Sequence, residues 1–248
     1  MAFTCELRQK TVSLSGPITM ILEELDLLKD KKLVAISKFH PVQKKYSVER
    51  LAGGIFLSKK KLREYKEMTV FFDKSRELTS VFKKAKLKNT IEIMTRGKDP
   101  FLTVNDLFLT LKTHLKKCEG DILKLQKKYD LIEKGLTLPL FMHESIFYLG
   151  AIKNKLPHLI IGADGFILSL SKLEYFKTYP TKLAYVPWSK KIMNQFKHLI
   201  HIGLEDSATN QLTQKILALN KINLAYRGVF IPGVRQIYFL QNLSQVQR

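Results

Sequence analysis

Thr11-Val12-Ser13-Leu14-Ser15-Gly16-Pro17 is the stretch from which the fold is read. Thr11 to Leu14 is a short β-prone run, and Gly16-Pro17 ends it. Proline cannot continue a strand, but its fixed φ suits a first helical turn, so a helix is expected to start at Ile18. The same grammar recurs downstream. Leu33 to Ser37 is a second apolar run, closed by Pro41. Met68 to Asp73 and Asn89 to Thr95 are two more, with helical periodicity from Leu78 to Lys86 between them. Strands alternating with helices predict a parallel sheet.

The middle of the chain reads as helix. Val104, Leu107, Phe108, Leu111 and Leu115 fall on one helical face, with Lys112 and Lys116 outside it. A second helix spans Glu119 to Lys134, carries Ile122, Leu125, Tyr129 and Ile132 at steps of three and four, and stops before Gly135. Its length, roughly 24 Å at 1.5 Å per residue, is enough to reach from one lobe to another, although its single apolar stripe equally describes a surface helix. A second α/β stretch follows. Its expected strands are Leu138 to Met142, Lys182 to Val186, Leu199 to Leu204 and Val229 to Ile231. Its expected helices are Gly165 to Phe176, Ser189 to Phe196, Thr209 to Leu219 and Gln236 to Gln247.

Composition narrows the functional classes. Forty-two Lys and Arg against 22 Asp and Glu leave a net charge of +20, a field that favours anionic partners. The excess is mostly lysine in short clusters such as Lys59-Lys60-Lys61, Lys83-Lys84 and Lys116-Lys117, which reads as a solvated surface. No RNP, helix-turn-helix or zinc motif accompanies it, so nucleic acid is not the expected partner. No apolar run approaches the roughly 20 residues that a membrane-spanning helix needs. Met1 to Lys10 is too short and polar to supply a signal sequence, which leaves either a cytoplasmic protein or one whose leader is not in this chain.

The reactive residue types are sparse. Cys5 and Cys118 are the only cysteines. One disulfide is compatible with them, but no framework pattern asks for it, and Cys5 reads as a near-terminal free thiol rather than a lipidated one, because Met-Ala-Phe-Thr is not a lipobox. His40, His114, His143 and His201 form no H-x-H or H-x-x-x-H pair, so no metal-ion site is expected. There is no G-x-S-x-G elbow, Walker loop, G-x-G-x-x-G or HExxH, and Gly162-Ala-Asp-Gly165 is an incomplete phosphate turn that suits a helix start better. A non-enzyme without a resident cofactor is expected.

Taken in order, the segments resemble the class III periplasmic substrate-binding proteins, the helical-backbone metal receptors that serve ABC importers of cobalamin, haem and ferric siderophores. Thr11-Val-Ser-Leu-Ser-Gly-Pro looks like their opening strand and turn, and Leu33-Val-Ala-Ile-Ser-Lys-Phe-His-Pro like the second strand and its ligand-facing loop. Leu57-Ser-Lys-Lys-Lys-Leu-Arg-Glu-Tyr-Lys, leading into Met68-Thr-Val-Phe-Phe-Asp, resembles a helix-then-strand unit that usually ends in Pro-Asp. Tyr185-Val-Pro-Trp-Ser, a helix, and Leu199-Ile-His-Ile resemble the matching unit of the second lobe, and Ile231-Pro-Gly-Val-Arg the approach to the final helix. The resemblance covers nearly the whole chain. It implies an α/β fold of two Rossmann-like lobes with parallel sheets, joined by a single long connecting α-helix. The lobes would be residues 1–118 and 136–248, with the connector at 119–135 and the ligand in the interlobe cleft. Such a connector resists bending, so closure is expected to be small.

Ligands of parallel α/β lobes sit beyond the carboxyl ends of the strands. That rule selects Ser15, Gly16, Phe39, His40, Lys74 to Arg76 and Arg96 in the first lobe, and His143, Glu144, Trp188, Arg227 and Arg235 in the second. Aromatic faces suit a flat or apolar ligand, and arginines bind carboxylates or phosphates with paired hydrogen bonds. The resemblance implies a monomer with cobalamin, haem or a ferric siderophore as ligand, and His40 or His143 as an axial nitrogen if that ligand is haem. It also implies a periplasmic or membrane-surface location and an ABC permease as partner. The family docks on its permease through one acidic residue per lobe, but Lys60 and Lys190 occupy those positions here, which would turn attraction into repulsion. Glu49, Glu64 and Glu67 lie nearby without matching. A stand-alone binding module, or a basic protein that binds nucleic acid or an anionic membrane, are the alternatives.

Overall fold

The computed structural model describes residues 5–38, 46–51, 58–74, 76–95, 99–137, 145–149, 159–161, 185–187, 189–195, 198–201 and 233–245. The chain divides into two compact units, one of residues 1–95 and 101–134, the other of residues 96–100 and 135–248.

In the first unit, β1 (Glu6–Leu7) precedes β2 (Thr11–Ser13), α1 (Gly16–Glu24), a 3₁₀ turn (Leu27–Lys29), β3 (Leu33–Ser37) and β4 (Glu49–Leu51). Then follow α2 (Lys59–Arg63), β5 (Thr69–Asp73), α3 (Arg76–Ala85), β6 (Asn89–Ile93), α4 (Pro100–Lys112), β7 (Leu115–Lys116) and α5 (Glu119–Lys134). The main sheet has the order β4-β3-β2-β5-β6, and every pair in it is parallel. Parallel sheets need cover on both faces, and the alternation of side chains along the strands supplies it. Val12, Leu14, Val70 and Phe72 join Leu62 of α2, Tyr65 just after it, and Phe82 and Ala85 of α3 in one buried cluster. Ser13 and Phe71 point the other way. There the Ser13 hydroxyl meets Thr19 of α1 at 2.8 Å, and Phe71 sets its ring edge-on to His114 at 5.2 Å.

Helix α1 is buried from Gly16 to Leu22, so its sequence is apolar without a polar stripe. Full burial of a side chain such as Ile18 or Ile21 contributes about 1.5–3 kcal/mol. α5 presents Asp121, Leu125 and Tyr129 inward, with Tyr129 stacked on Phe108 of α4. Its bounds match the helix read from the sequence, and it belongs to the first unit.

The second unit contains β8 (Ser145–Leu149), β9 (Leu159–Ile161), β10 (Tyr185–Pro187), α6 (Lys190–Met193), β11 (His198–His201) and α7 (Val234–Ser244). Its sheet has the order β10-β9-β8-β11. Here the structure departs from an all-parallel expectation. β8 and β11 are parallel, but β9 is antiparallel to both β8 and β10. The nine residues between β8 and β9 are too few for a helical crossover, and an antiparallel return needs none. Pro187 ends β10 on the sheet's edge, where a missing N–H costs no ladder bond. Gly233 caps α7 with φ 86°, a backbone angle that favours glycine, and Ile237, Phe239, Leu240 and Leu243 of that helix are buried. The expected elements at Leu138 to Met142, Gly165 to Phe176, Thr209 to Leu219 and Val229 to Ile231 lie outside the described residues.

Two further readings are corrected. The helical face that was to run on to Leu115 stops at Lys112, and Leu115–Lys116 instead pairs antiparallel with Glu6–Leu7. Glu6 draws this ribbon together by ion pairs to Lys116 at 2.9 Å and Lys117 at 3.3 Å. The free thiol is also overturned, because Cys5 and Cys118 form a disulfide. The ribbon explains the pairing, since it places two sulfurs side by side that are 113 positions apart in sequence.

Closing so long a loop restricts the unfolded chain, so replacing Cys5 and Cys118 by serine should lower stability by about 2–4 kcal/mol, read by urea denaturation. The untreated protein should take up no thiol label until a reductant is added, as measured by intact mass.

Candidate functional site

The strand order of the first sheet reverses between β2 and β5. From β2 the chain builds outward through β3 and β4, then returns to place β5 on the other side of β2. At such a switch point the loops leaving adjacent strands diverge and open a crevice at their carboxyl ends, the usual ligand position in open α/β sheets. Ser15 and Gly16 follow β2, and Asp73 ends β5, so all three stand at this point.

They are bonded to one another. The Ser15 hydroxyl donates to Asp73 Oδ1 at 2.6 Å, and the Gly16 amide reaches Asp73 Oδ2 at 3.4 Å. Ser15 also caps α1, its Oγ accepting from the Ile18 amide, while its carbonyl accepts from the Thr19 amide and hydroxyl. Burial pushes the Asp73 carboxyl above the usual aspartate range. The Ser15 hydroxyl and Gly16 amide pull it back without cancelling the effect. This carboxylate thus joins the end of one strand to the start of the helix that follows its neighbour.

Of the residues selected from the sequence, Ser15 and Gly16 are buried at this clasp. Arg76 opens α3, three residues beyond Asp73. Arg235 is half-buried in the first turn of α7. Phe39, His40, Arg96, His143, Glu144, Trp188 and Arg227 lie outside the described residues. Asp73 was not selected, because the strand-end rule was applied to residues after the strand and passed over its last one. Met94 was missed as well. It follows β6 with 59% of its surface exposed, and Lys74 Nζ lies 3.6 Å from its sulfur. A thioether beside a strand-end cation offers a soft, adaptable contact to an apolar or aromatic ligand.

His201 ends β11, as expected of a strand residue, whereas His114 stands in the turn after α4, with its pKa lowered by burial and by the nearby Arg8 charge. Among the described residues, no three His, Cys, Asp or Glu side chains converge in a way that could hold a metal ion.

The two lysines expected at docking positions lie among the described residues. Lys60 is exposed in the first turn of α2, which Ser58 caps, and Lys190 is the first residue of α6. The neighbouring carboxylates are engaged: Lys61 holds Glu49 at 3.0 Å and Glu64 at 2.7 Å, and Lys88 holds Glu67 at 2.8 Å.

No protein-family model matches the sequence, and no curated protein does. Solved structures match throughout. The periplasmic haem-binding protein HutB of Vibrio cholerae aligns with a TM-score of 0.68 at 16% identity, covering 95% of this chain and 97% of that one. The siderophore-binding protein BauB, bound to a complex of two acinetobactin molecules and ferric iron, aligns at 0.70 with 10% identity over 98% and 95%. The periplasmic vitamin B12-binding protein BtuF of Vibrio cholerae aligns at 0.63 with 14% identity over 96% and 98%. The resemblance seen in the sequence therefore holds at the level of fold, and the chain has the two-lobe α/β fold of these binding proteins.

Because the folded state binds a proton on Asp73 more tightly than the unfolded state, this group favours folding as pH falls through its raised pKa, and its charge costs stability above that pKa. A ¹³C carboxyl titration should place its midpoint above the ordinary value of 3.8. Ser15→Ala should move the midpoint further up. Asp73→Ala, which strands the Ser15 hydroxyl and Gly16 amide, should cost about 1–3 kcal/mol in urea denaturation.

Proposed function

We propose that this chain is a substrate-binding protein of an ABC-type importer, carrying a haem-, ferric siderophore- or cobalamin-like ligand. The observation that carries this reading is the fold match along nearly the whole chain to binding proteins for these three ligand classes. The switch point between β2 and β5 supports it, because it is where a ligand-binding α/β lobe collects its contacts. On this reading the ligand contacts are drawn from the residues selected at strand ends: Phe39, His40, Arg76, Arg96, His143, Trp188, Arg227 and Arg235. Met94 and Lys74 join them. Asp73, Ser15 and Gly16 hold the crevice floor rather than the ligand. Arginines and lysine meet the acidic groups of the ligand, aromatics its flat face, and the protein acts as a carrier rather than a catalyst.

The Cys5–Cys118 disulfide supports a working place outside the reducing cytoplasm, since such bonds persist in oxidising compartments. No helix among the described residues is long and apolar enough to cross a membrane.

A second reading rests on one observation. Lysines stand where the sequence resemblance expects docking carboxylates, and the nearby glutamates of the first unit are already held by lysines. A partner that receives this protein through those positions must offer carboxylates, or else the protein binds its ligand without an importer. Cross-linking in cells separates the two readings, a permease adduct being expected only from the first.

Titration with haemin, ferric siderophores and cobalamin, followed by quenching of the single tryptophan and by visible absorption, should give saturable binding for one of the three classes. Arg76→Ala or Arg235→Ala should weaken it by about tenfold to a hundredfold, in keeping with the loss of a charge-assisted hydrogen bond worth about 1.5–3 kcal/mol. Silence with all three classes would overturn the proposal.

A further inference from the structure

Helices α4 and α5 leave an unusual surface between them. Leu102 and Leu109, seven residues apart on one stripe of α4, are 62% and 68% exposed, and Leu123 on α5 is 51% exposed. Leu109 and Leu123 share a groove of about 330 Å³ with Phe108 and Ile122. Next to it lies a cavity of about 400 Å³ whose lining includes Arg8, Lys112, Lys116 and Lys117, with Glu119 as its one carboxylate. The two hollows meet at Lys112, Glu119 and Ile122. The cations are positioned: Arg8 Nε donates to the Leu115 carbonyl at 2.7 Å, and Lys116 and Lys117 both hold Glu6. With Glu6 and Glu119 counted against them, the positive charge still dominates.

We propose that this face docks on an anionic phospholipid surface, with phosphate headgroups at Arg8, Lys112, Lys116 and Lys117 and with Leu102, Leu109 and Leu123 in the acyl boundary. Large exposed aliphatic side chains beside a cationic hollow match both halves of such a lipid. Nucleic acid fits less well, because protein surfaces that bind it are polar and leave little for leucines to do. The net charge of +20 adds a long-range attraction to the same surface. The inference goes beyond ligand carriage, since it gives the protein a membrane contact of its own.

Co-sedimentation with phosphatidylcholine vesicles, with and without phosphatidylglycerol, tests it. Binding is expected only to the anionic vesicles, and salt should weaken it. Lys112→Glu should lower affinity roughly fivefold or more, the weight of about one basic residue at an anionic surface. Leu109→Gln with Leu123→Gln should do the same while leaving the thermal melt and the ligand titration unchanged, because both side chains are exposed. Lys84→Glu, on α3 against the opposite face of the sheet, is the control for net charge alone. Equal loss in Lys84→Glu and Lys112→Glu would overturn the proposal, as would unchanged binding in the double leucine variant. Displacement of the protein from vesicles by millimolar inorganic phosphate would show a site for a soluble anion instead. Equal affinity of the double leucine variant and the parent for a DNA duplex, together with no vesicle binding, would assign the charge to nucleic acid.

Discussion

The first lobe depends on a carboxylate placed where carboxylates are costly. Asp73 ends β5 and accepts from Ser15 and Gly16 at the start of α1, so one side chain links two neighbouring strands and a buried helix at the point where the sheet reverses order. An apolar side chain there would pack without fixing direction. Two directed hydrogen bonds set the angle at which α1 leaves the sheet. Removing the carboxylate is expected to loosen position before it loosens compactness, because the apolar layers on both faces of the sheet remain.

Much of this lobe was legible because its elements are local and repetitive. Runs such as Leu33–Ser37 and Thr69–Asp73 are apolar enough to stand out, and Gly16-Pro17 marks the start of α1 as clearly as any cap. What escaped was either too short to carry a pattern or decided by partners far away in sequence. The β1–β7 ribbon has two residues on each side, and β4 and β9 have three each. The Cys5–Cys118 pairing follows from that ribbon and has no signature of its own. Ser15 and Gly16 were selected by the rule on strand ends, yet both are bonded to Asp73, which a linear reading treats as the end of a strand. In the second lobe, Ser145–Leu149 was displaced by a more apolar run just before it, and the antiparallel β9 could not be expected from alternation alone.

Charge contributes to recognition more than to stability here. The ion pairs of the described residues lie mostly on exposed side chains, where each adds little to folding. Their greater effect is to occupy the scarce acids, so that Glu6, Glu49, Glu64 and Glu67 are each matched by lysines. The surface that a partner meets is then more uniformly positive than the composition alone conveys, and electrostatics of that kind governs encounter and choice of partner.

The covalent link near the chain's start has a topological consequence. From residue 5 to residue 118 the backbone is a closed ring that contains the whole five-stranded sheet. A protease that cuts once within that ring opens it without releasing a piece, and the severed ends stay tethered through the sulfurs. The lobe therefore tolerates a single nick for as long as its surroundings are oxidising, and carriage into a reducing environment turns the same silent cut into a loss of covalent continuity.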